Sequence, residues 1–187
     1  MSQSANSDKT NSTVAISIGV VVLGIFLAGI LALGYVVVKQ TAQRKALAQL
    51  KETNPVEYYV LHTPAVPDDD TLKNEMVGTW KLTGARSRRT HDFVFLSPDN
   101  YYFKTFTLTN WSIATYDGQS NLVYSAGGPY KLAGDNYTEI IQSATGMMKQ
   151  YLRAQPTFRI RVDGDTYYQM GAGRNPTIEE MWQRVQE

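Results

Sequence analysis

Two patterns of hydrophobicity divide this chain. The first is continuous: Thr10 to Val38 contain no charged residue, and Val14 to Val38 are almost wholly apolar. As a helix those 25 residues would extend roughly 37 Å at about 1.5 Å per residue, enough to cross a bilayer with some tilt. The second pattern has a period of two, begins at Gly78 and marks half-buried strands. It predicts strands over 79–84, 92–97, 101–109, 111–116, 121–126, 129–133, 136–142, 156–162 and 166–170. The breaks between them use residues suited to turns or positive φ, among them Ser97-Pro98-Asp99-Asn100, Asp117-Gly118, Gly134-Asp135-Asn136 and Asp163-Gly164-Asp165. Residues 143–154 break the rhythm and predict a loop or short helix over an opening.

Around these two blocks the chain predicts accessory segments. Residues 1–13 are rich in Ser and Asn, lack aromatics and are expected to be a disordered tail. The apolar run is much longer than the roughly 7–15 residues of a cleavable leader, so residues 14–38 read as an uncleaved transmembrane helix. Residues 39–53 combine helix formers with Lys39, Arg44, Lys45 and Lys51, which suits a juxtamembrane helix. Asn54-Pro55 is expected to stop that helix, leaving 54–70 as a linker and 71–187 as the β domain. Asp70 or Thr71 is expected to cap a short helical lead over 71–77. Near the C-terminus Ile178, Met181, Trp182 and Val185 fall at i, i+3, i+4 and i+7, which predicts a short docked helix. Thr177 and Glu180 fit its capping box, and Asn175 before Pro176 is the alternative cap.

Composition narrows the chemistry. Without cysteine there is no disulfide framework, thiol nucleophile or Cys-based zinc site. A net charge of +1 gives no reason to expect a nucleic-acid partner. The cations downstream of the apolar run outnumber Lys9 upstream, so the positive-inside rule taken alone places the C-terminal domain in the cytoplasm, with the exported side as the alternative. Gly24, Ala28 and Ala32 share one face of the predicted membrane helix and would permit a homodimer. Arg86, Arg88, Arg89 and His91 form the densest basic stretch of the domain, read as a solvated hairpin loop or a contact for acidic lipid or an acidic partner.

Catalytic signals are sparse. His62 and His91 are the only histidines, no phosphate-cradling glycine loop appears, and no catalytic, metal or cofactor residue is assigned. The aromatic strands are richer. Small barrels can enclose a ligand between apolar walls and a few polar anchors, and Tyr102, Phe106, Trp111, Tyr130 and Tyr137 are the candidate walls. Tyr137, Glu139 and Ile141 share one strand face, so if the apolar pair points inward Glu139 does too and needs a partner. Glu139 is therefore the candidate polar anchor, as a ligand contact, an internal salt bridge or, in an enzyme, an acid/base group. On 156–162, Arg159 and Arg161 lie opposite Phe158, Ile160 and Val162 and are expected to face solvent.

Gly78-Thr79-Trp80 opens the first strand, its glycine allowing close packing beneath a large ring. With Phe95-Leu96-Ser97-Pro98-Asp99-Asn100-Tyr101-Tyr102-Phe103, the Gly128-Pro129-Tyr130 strand and its turn into Tyr137-Thr138-Glu139, the hairpin from Phe158 to Tyr168, and Trp182 after it, it covers residues 76–187. The order and spacing of these stretches resemble the lipocalin-like domains of the calycin superfamily. That resemblance implies a mainly β fold: an antiparallel lipocalin-like β-barrel of about eight to nine strands with a short C-terminal helix, here behind one N-terminal transmembrane helix. It implies a container for a small hydrophobic or amphipathic ligand. Gly78, Trp80 and Trp182 would be structural, with Trp80 plugging one end of the barrel. It also implies an arginine against the first-strand tryptophan, for which Arg159, Arg161 and Arg174 are candidates. The competing expectation is a solidly packed barrel acting as a protein-interaction module at the membrane.

Overall fold

The computed structural model describes residues 35–64, 68–87, 90–173 and 178–186. The chain divides into two compact units, Met1–Ala48 and Gln49–Glu187. Residues 35–53 form helix α1. The expected tail and residues 14–34 of the expected membrane helix lie outside the described residues. Among the described residues no helix is long and apolar enough to cross a membrane.

In the second unit, Asn54-Pro55 ends one helix and starts another. Asn54 Oδ1 accepts the Glu57 N–H at 3.2 Å, and Pro55 takes the first helical position, where its missing N–H leaves nothing unpaired. Helix α2 (Pro55–His62) therefore occupies much of the segment expected as linker. Helix α3 (Asp69–Met76) follows, and its cap is Asp68 rather than Asp70 or Thr71. The Asp68 carboxylate accepts from the Thr71 N–H at 2.7 Å and the Thr71 hydroxyl at 2.9 Å.

Ten strands come next: β1 (Gly78–Ser87), β2 (Thr90–Phe95), β3 (Tyr102–Phe106), β4 (Asn110–Tyr116), β5 (Leu122–Ala133), β6 (Asn136–Glu139), β7 (Ser143–Ala144), β8 (Thr157–Asp163), β9 (Thr166–Gly171) and β10 (Ile178–Arg184). Eight of them close an antiparallel barrel in the order β1-β3-β4-β5-β6-β8-β9-β10, with β10 returning to β1. β2 pairs with the second half of β1, and β7 with β5. The expected strands 121–126 and 129–133 are one strand, β5. Gly127-Gly128 does not interrupt it, because the glycine serves close approach and not a turn: a Cβ on Gly128 would lie 2.0 Å from the Ile140 carbonyl oxygen. A 3-10 turn (Gly146–Tyr151) fills the region where the alternation breaks.

The expected C-terminal helix is β10, a strand. Its register with β1 runs from Trp80↔Arg184 to Ser87↔Ile178, so it supplies the backbone partners that close the barrel. The sequence stripe misled for a physical reason. Strands β8, β9 and β10 are covered on both faces, and a strand buried on both sides loses its simple alternation. Glu180 and Trp182 face the interior. Met181 faces outward, where α2 lays Val56 and Val60 against Tyr168 and Met170, with the Tyr59 ring stacked on Tyr168 at 4.3 Å. Adjacent Met181 and Trp182 thus belong to opposite layers, yet in one dimension they imitate a helical face.

The same outer layer corrects the arginines of β8. Arg161 points away from the barrel interior but is only 6% exposed. It donates to the Thr63 carbonyl at 3.3 Å and lies 3.6 Å from the Asp135 carboxylate. Glu179, also on the outer face, is buried where it accepts from Asn54 Nδ2 at 2.8 Å and pairs with Arg86. Arg86 is therefore an ion-pair partner; Arg88 and Arg89 of the basic stretch lie outside the described residues.

Candidate functional site: a cavity over a buried ion pair

One end of the barrel is filled by protein. Leu72 and Met76 of α3 enter the core, and Trp80, fully buried, donates its Nε1–H to the Met76 carbonyl at 2.8 Å. The arginine against this ring is Arg184, and neither Arg159 nor Arg161 takes that place; Arg174 lies outside the described residues. Its guanidinium stands 4.1 Å from the Trp80 ring centre and donates to the carbonyls of Glu75 (2.7 Å) and Val77 (2.6 Å), tying the end of α3 to β10. Gly78 explains itself here. Its φ of +131° disfavours a side chain, and a Cβ would sit 2.8 Å from Arg184 Nη1. The glycine makes room for the arginine that covers the ring.

Beneath Trp80 the aromatic side chains interlock. Phe106 meets Tyr130, Tyr137 and Tyr167 edge-on, with centroids 6.0, 5.6 and 5.5 Å away. Such edge-to-face pairs match the positive ring edge to the negative ring face. Three of the sequence-named wall residues, Phe106, Tyr130 and Tyr137, thus belong to this packed layer and do not line the cavity described below.

The next layer is polar. The alternation of β3 that sends Phe106 inward also sends Lys104 inward, and it is 2% exposed. Its ammonium donates to Glu139 Oε1 at 2.8 Å and Gln169 Oε1 at 2.7 Å. The Tyr137 hydroxyl donates to the same Glu139 oxygen at 3.1 Å, and the Tyr167 hydroxyl to Gln169 Oε1 at 2.7 Å. Burial, and after it the Glu139 charge, hold both phenols protonated well above the ordinary tyrosine range, so each serves as a donor. Lys104 is also ringed by π-faces, with the Trp182 centroid 5.4 Å away. This is the partner that an inward Glu139 requires. Neither residue is left as an uncompensated buried charge.

Above this layer the barrel is not filled. A cavity of about 580 Å³ reaches down to Lys104, Glu139, Gln169 and Glu180. Its walls are mostly apolar: Trp111 and Ile113 of β4, Tyr124 of β5, Ile141, and Phe158 of β8. The 3-10 turn leans Met147, Met148 and Tyr151 over one side, and Met147 and Tyr151 are exposed at the rim. Two groups at the cavity stand out. The buried Trp111 Nε1–H has no hydrogen-bond partner among the described residues. Glu180, which accepts from Trp182 Nε1 at 3.2 Å, has its carboxyl pushed above the ordinary range. Loss of water is the largest cause; Lys104 opposes the shift and the Glu139 charge adds to it.

Of the residues named from sequence, then, Trp111 and Glu139 line the cavity. Tyr102 shares the inward parity of Lys104 but stands exposed at the rim, outside the lining. Lys104, Gln169 and Glu180 were missed. The signal for Lys104 was present, since strand alternation puts it between Tyr102 and Phe106. Glu180 was hidden by the helical reading of its segment. Among the described residues no cluster of three or more His, Cys, Asp or Glu side chains is arranged to hold a metal ion.

The class defined by these features is a closed eight-stranded antiparallel barrel, plugged at one end and hollow at the other. Among solved structures, the chain is similar to a lipocalin-like protein from Bacteroides uniformis, with a TM-score of 0.46 and 13% identity over 59% of this chain and 99% of that one. It is similar to the same degree, with 12% identity and a TM-score of 0.46, to an uncharacterized protein from Bacteroides eggerthii, again over 59% of this chain and 99% of that one. No protein-family model and no curated protein matches the chain.

Proposed function

We propose that this chain is a single-pass, membrane-tethered barrel protein that binds a small hydrophobic or amphipathic molecule in the cavity. The observation that carries the reading is the cavity itself. Its volume of about 580 Å³ falls within the roughly 300–1,000 Å³ of small-molecule sites, and it pairs apolar walls with a few convergent polar groups. Water filling such a space would gain little from its Ile, Phe and Met walls, whereas an alkyl or aromatic body would be desolvated there at about 25 cal/mol per Å² of apolar surface buried. The polar layer gives the ligand an orientation, head down towards Glu139 and Glu180. A solidly packed interaction module would have no such space.

The tether rests on the apolar run from Val14 to Val38. Its described end, Tyr35 to Val38, is helical with every side chain exposed, which suits burial in lipid. The flanking charges favour a cytoplasmic barrel, and the Gly24, Ala28 and Ala32 face would carry any homodimer. Protease accessibility in intact cells tests the orientation: protection of the barrel is expected, and its digestion would reverse the assignment.

The ligand reading is tested by native mass spectrometry of the full chain taken gently from the producing cell. A retained small molecule is expected, and it should be lost from Ala154→Trp, which fills the cavity from its wall. A wild-type chain that carries nothing and takes up no apolar probe would sink the reading.

A further inference from the structure

We infer that the cavity selects amphiphiles whose head is an amine, not a carboxylate. The inference rests on the ligand-binding reading above and concerns the chemistry of the head. A basic residue at the bottom of an apolar barrel would ordinarily suggest a fatty-acid site, and Lys104 invites that thought. Its contacts argue otherwise. The ammonium is already matched by Glu139 at 2.8 Å and given a second acceptor by Gln169 at 2.7 Å. A ligand carboxylate would have to displace Glu139 from a buried pair, an exchange with no net gain and a desolvation cost.

The remaining charge in the cavity is acidic. Among the described residues that line it, the charged side chains are Lys104, Glu139 and Glu180, one cation against two carboxylates. Lys104 and the Tyr137 hydroxyl both bond to Oε1 of Glu139, and no donor among the described residues engages its Oε2. Glu180 receives one bond, from Trp182 to Oε2, and its Oε1 is likewise without a donor among the described residues. Two carboxylates that line the cavity thus each keep an oxygen without a donor among the described residues, which makes an acceptor-rich floor. An ammonium head satisfies them with two or three N–H donors and brings the floor to neutrality. A carboxylate head brings a third negative charge.

The walls agree with the floor. Trp111, Tyr124, Tyr151 and Phe158 present aromatic rings to the cavity, and a desolvated cation gains from such faces where an anion does not. The raised carboxyl of Glu180 fits the same account, because a ligand cation supplies the opposing charge that Lys104 only partly provides.

The test compares octylamine, octanoate and octan-1-ol, which share one tail, by titration calorimetry of the full chain in lipid nanodiscs, with empty nanodiscs subtracted. The expected result is octylamine binding at least tenfold more tightly than octanoate, with octan-1-ol between them. Glu180→Gln, which keeps the shape and removes the charge, should weaken octylamine about tenfold and octan-1-ol by much less, so that the preference for the amine narrows. Octanoate binding as tightly as octylamine to the wild-type chain overturns the inference yet leaves the cavity a ligand site. If none of the three binds, the ligand-binding reading itself fails and this inference goes with it. The wild-type selectivity decides the matter even if Glu180→Gln fails to fold.

Discussion

The two ends of this barrel solve the same problem in opposite ways. Both must fill the space inside a closed eight-stranded sheet. The plugged end uses α3, Trp80 and a layer of interlocked aromatics, tied down by Arg184. The other end leaves about 580 Å³ open over a floor of charged side chains. Packing density in folded interiors is close to that of organic crystals, so an unfilled region of this size is a departure from the rule that the plugged end obeys. The contrast teaches where stability and function reside. The plugged end holds the barrel together, and the open end spends none of its side chains on closing it.

The contrast breaks if truncation costs the same at both ends. Trp80→Ala should destabilise by about 3–5 kcal/mol, the range for deleting a buried aromatic. Met147→Ala at the rim should stay within about 0.5 kcal/mol, as surface changes do. Urea unfolding of the two variants decides it, and equal losses would mean that the 3-10 turn is as much a part of the core as the plug.

Between the ends lies the polar layer. Lys104→Met should cost about 3–5 kcal/mol, because it strands the buried Glu139 carboxylate. Adding Glu139→Leu should recover most of that loss, since a matched hydrophobic replacement of a buried pair is often neutral. A double-mutant cycle measures this directly. If the double variant is as unstable as the single, the pair is not the unit that the geometry makes it.

A smaller effect is expected at the glycine that makes room for the plug. Gly78→Ala should cost about 1–3 kcal/mol, from a φ of +131° and contact with the Arg184 guanidinium. Thermal unfolding would reveal the loss. An unchanged midpoint would show that Arg184 simply moves aside, and that its stacking on Trp80 contributes little.

The barrel was legible in the sequence because most of its strands have one wet face. β1, β3 and β4 alternate plainly, and the turn residues between them punctuate the alternation. What escaped was everything that depends on the outer layer. α2 buries the outward faces of β8, β9 and β10, so Arg161 and Glu179 are interior groups on positions that alternation assigns to solvent. β10 was invisible as a strand for the same cause. The site suffered in proportion. Trp111 and Glu139 come from strands that alternate, whereas Glu180 comes from β10. Gly78 and Arg184 are about as far apart in sequence as the β domain allows, and only closure of the barrel brings them together.

The finest test of the contrast is the pH dependence of Glu180. Its folded-state carboxyl lies above the ordinary value of about 4.3, chiefly because the cavity floor is poorly hydrated. The folded chain therefore holds that proton more tightly than the unfolded chain does. Linkage then requires this group's contribution to favour the folded state increasingly as pH falls through the raised value, and to level off below the ordinary one. Above that window an ionised Glu180 is a net cost, which Glu180→Gln removes. The variant should melt higher than wild type at pH 7, and the gap should close on acidification. A plugged-end residue has no such lever, and Trp80→Ala should lose stability by the same amount at both pH values. If Glu180→Gln instead melts lower at pH 7, Lys104 outweighs the loss of water around Glu180, and the open end is as electrostatically satisfied as the plugged end is packed.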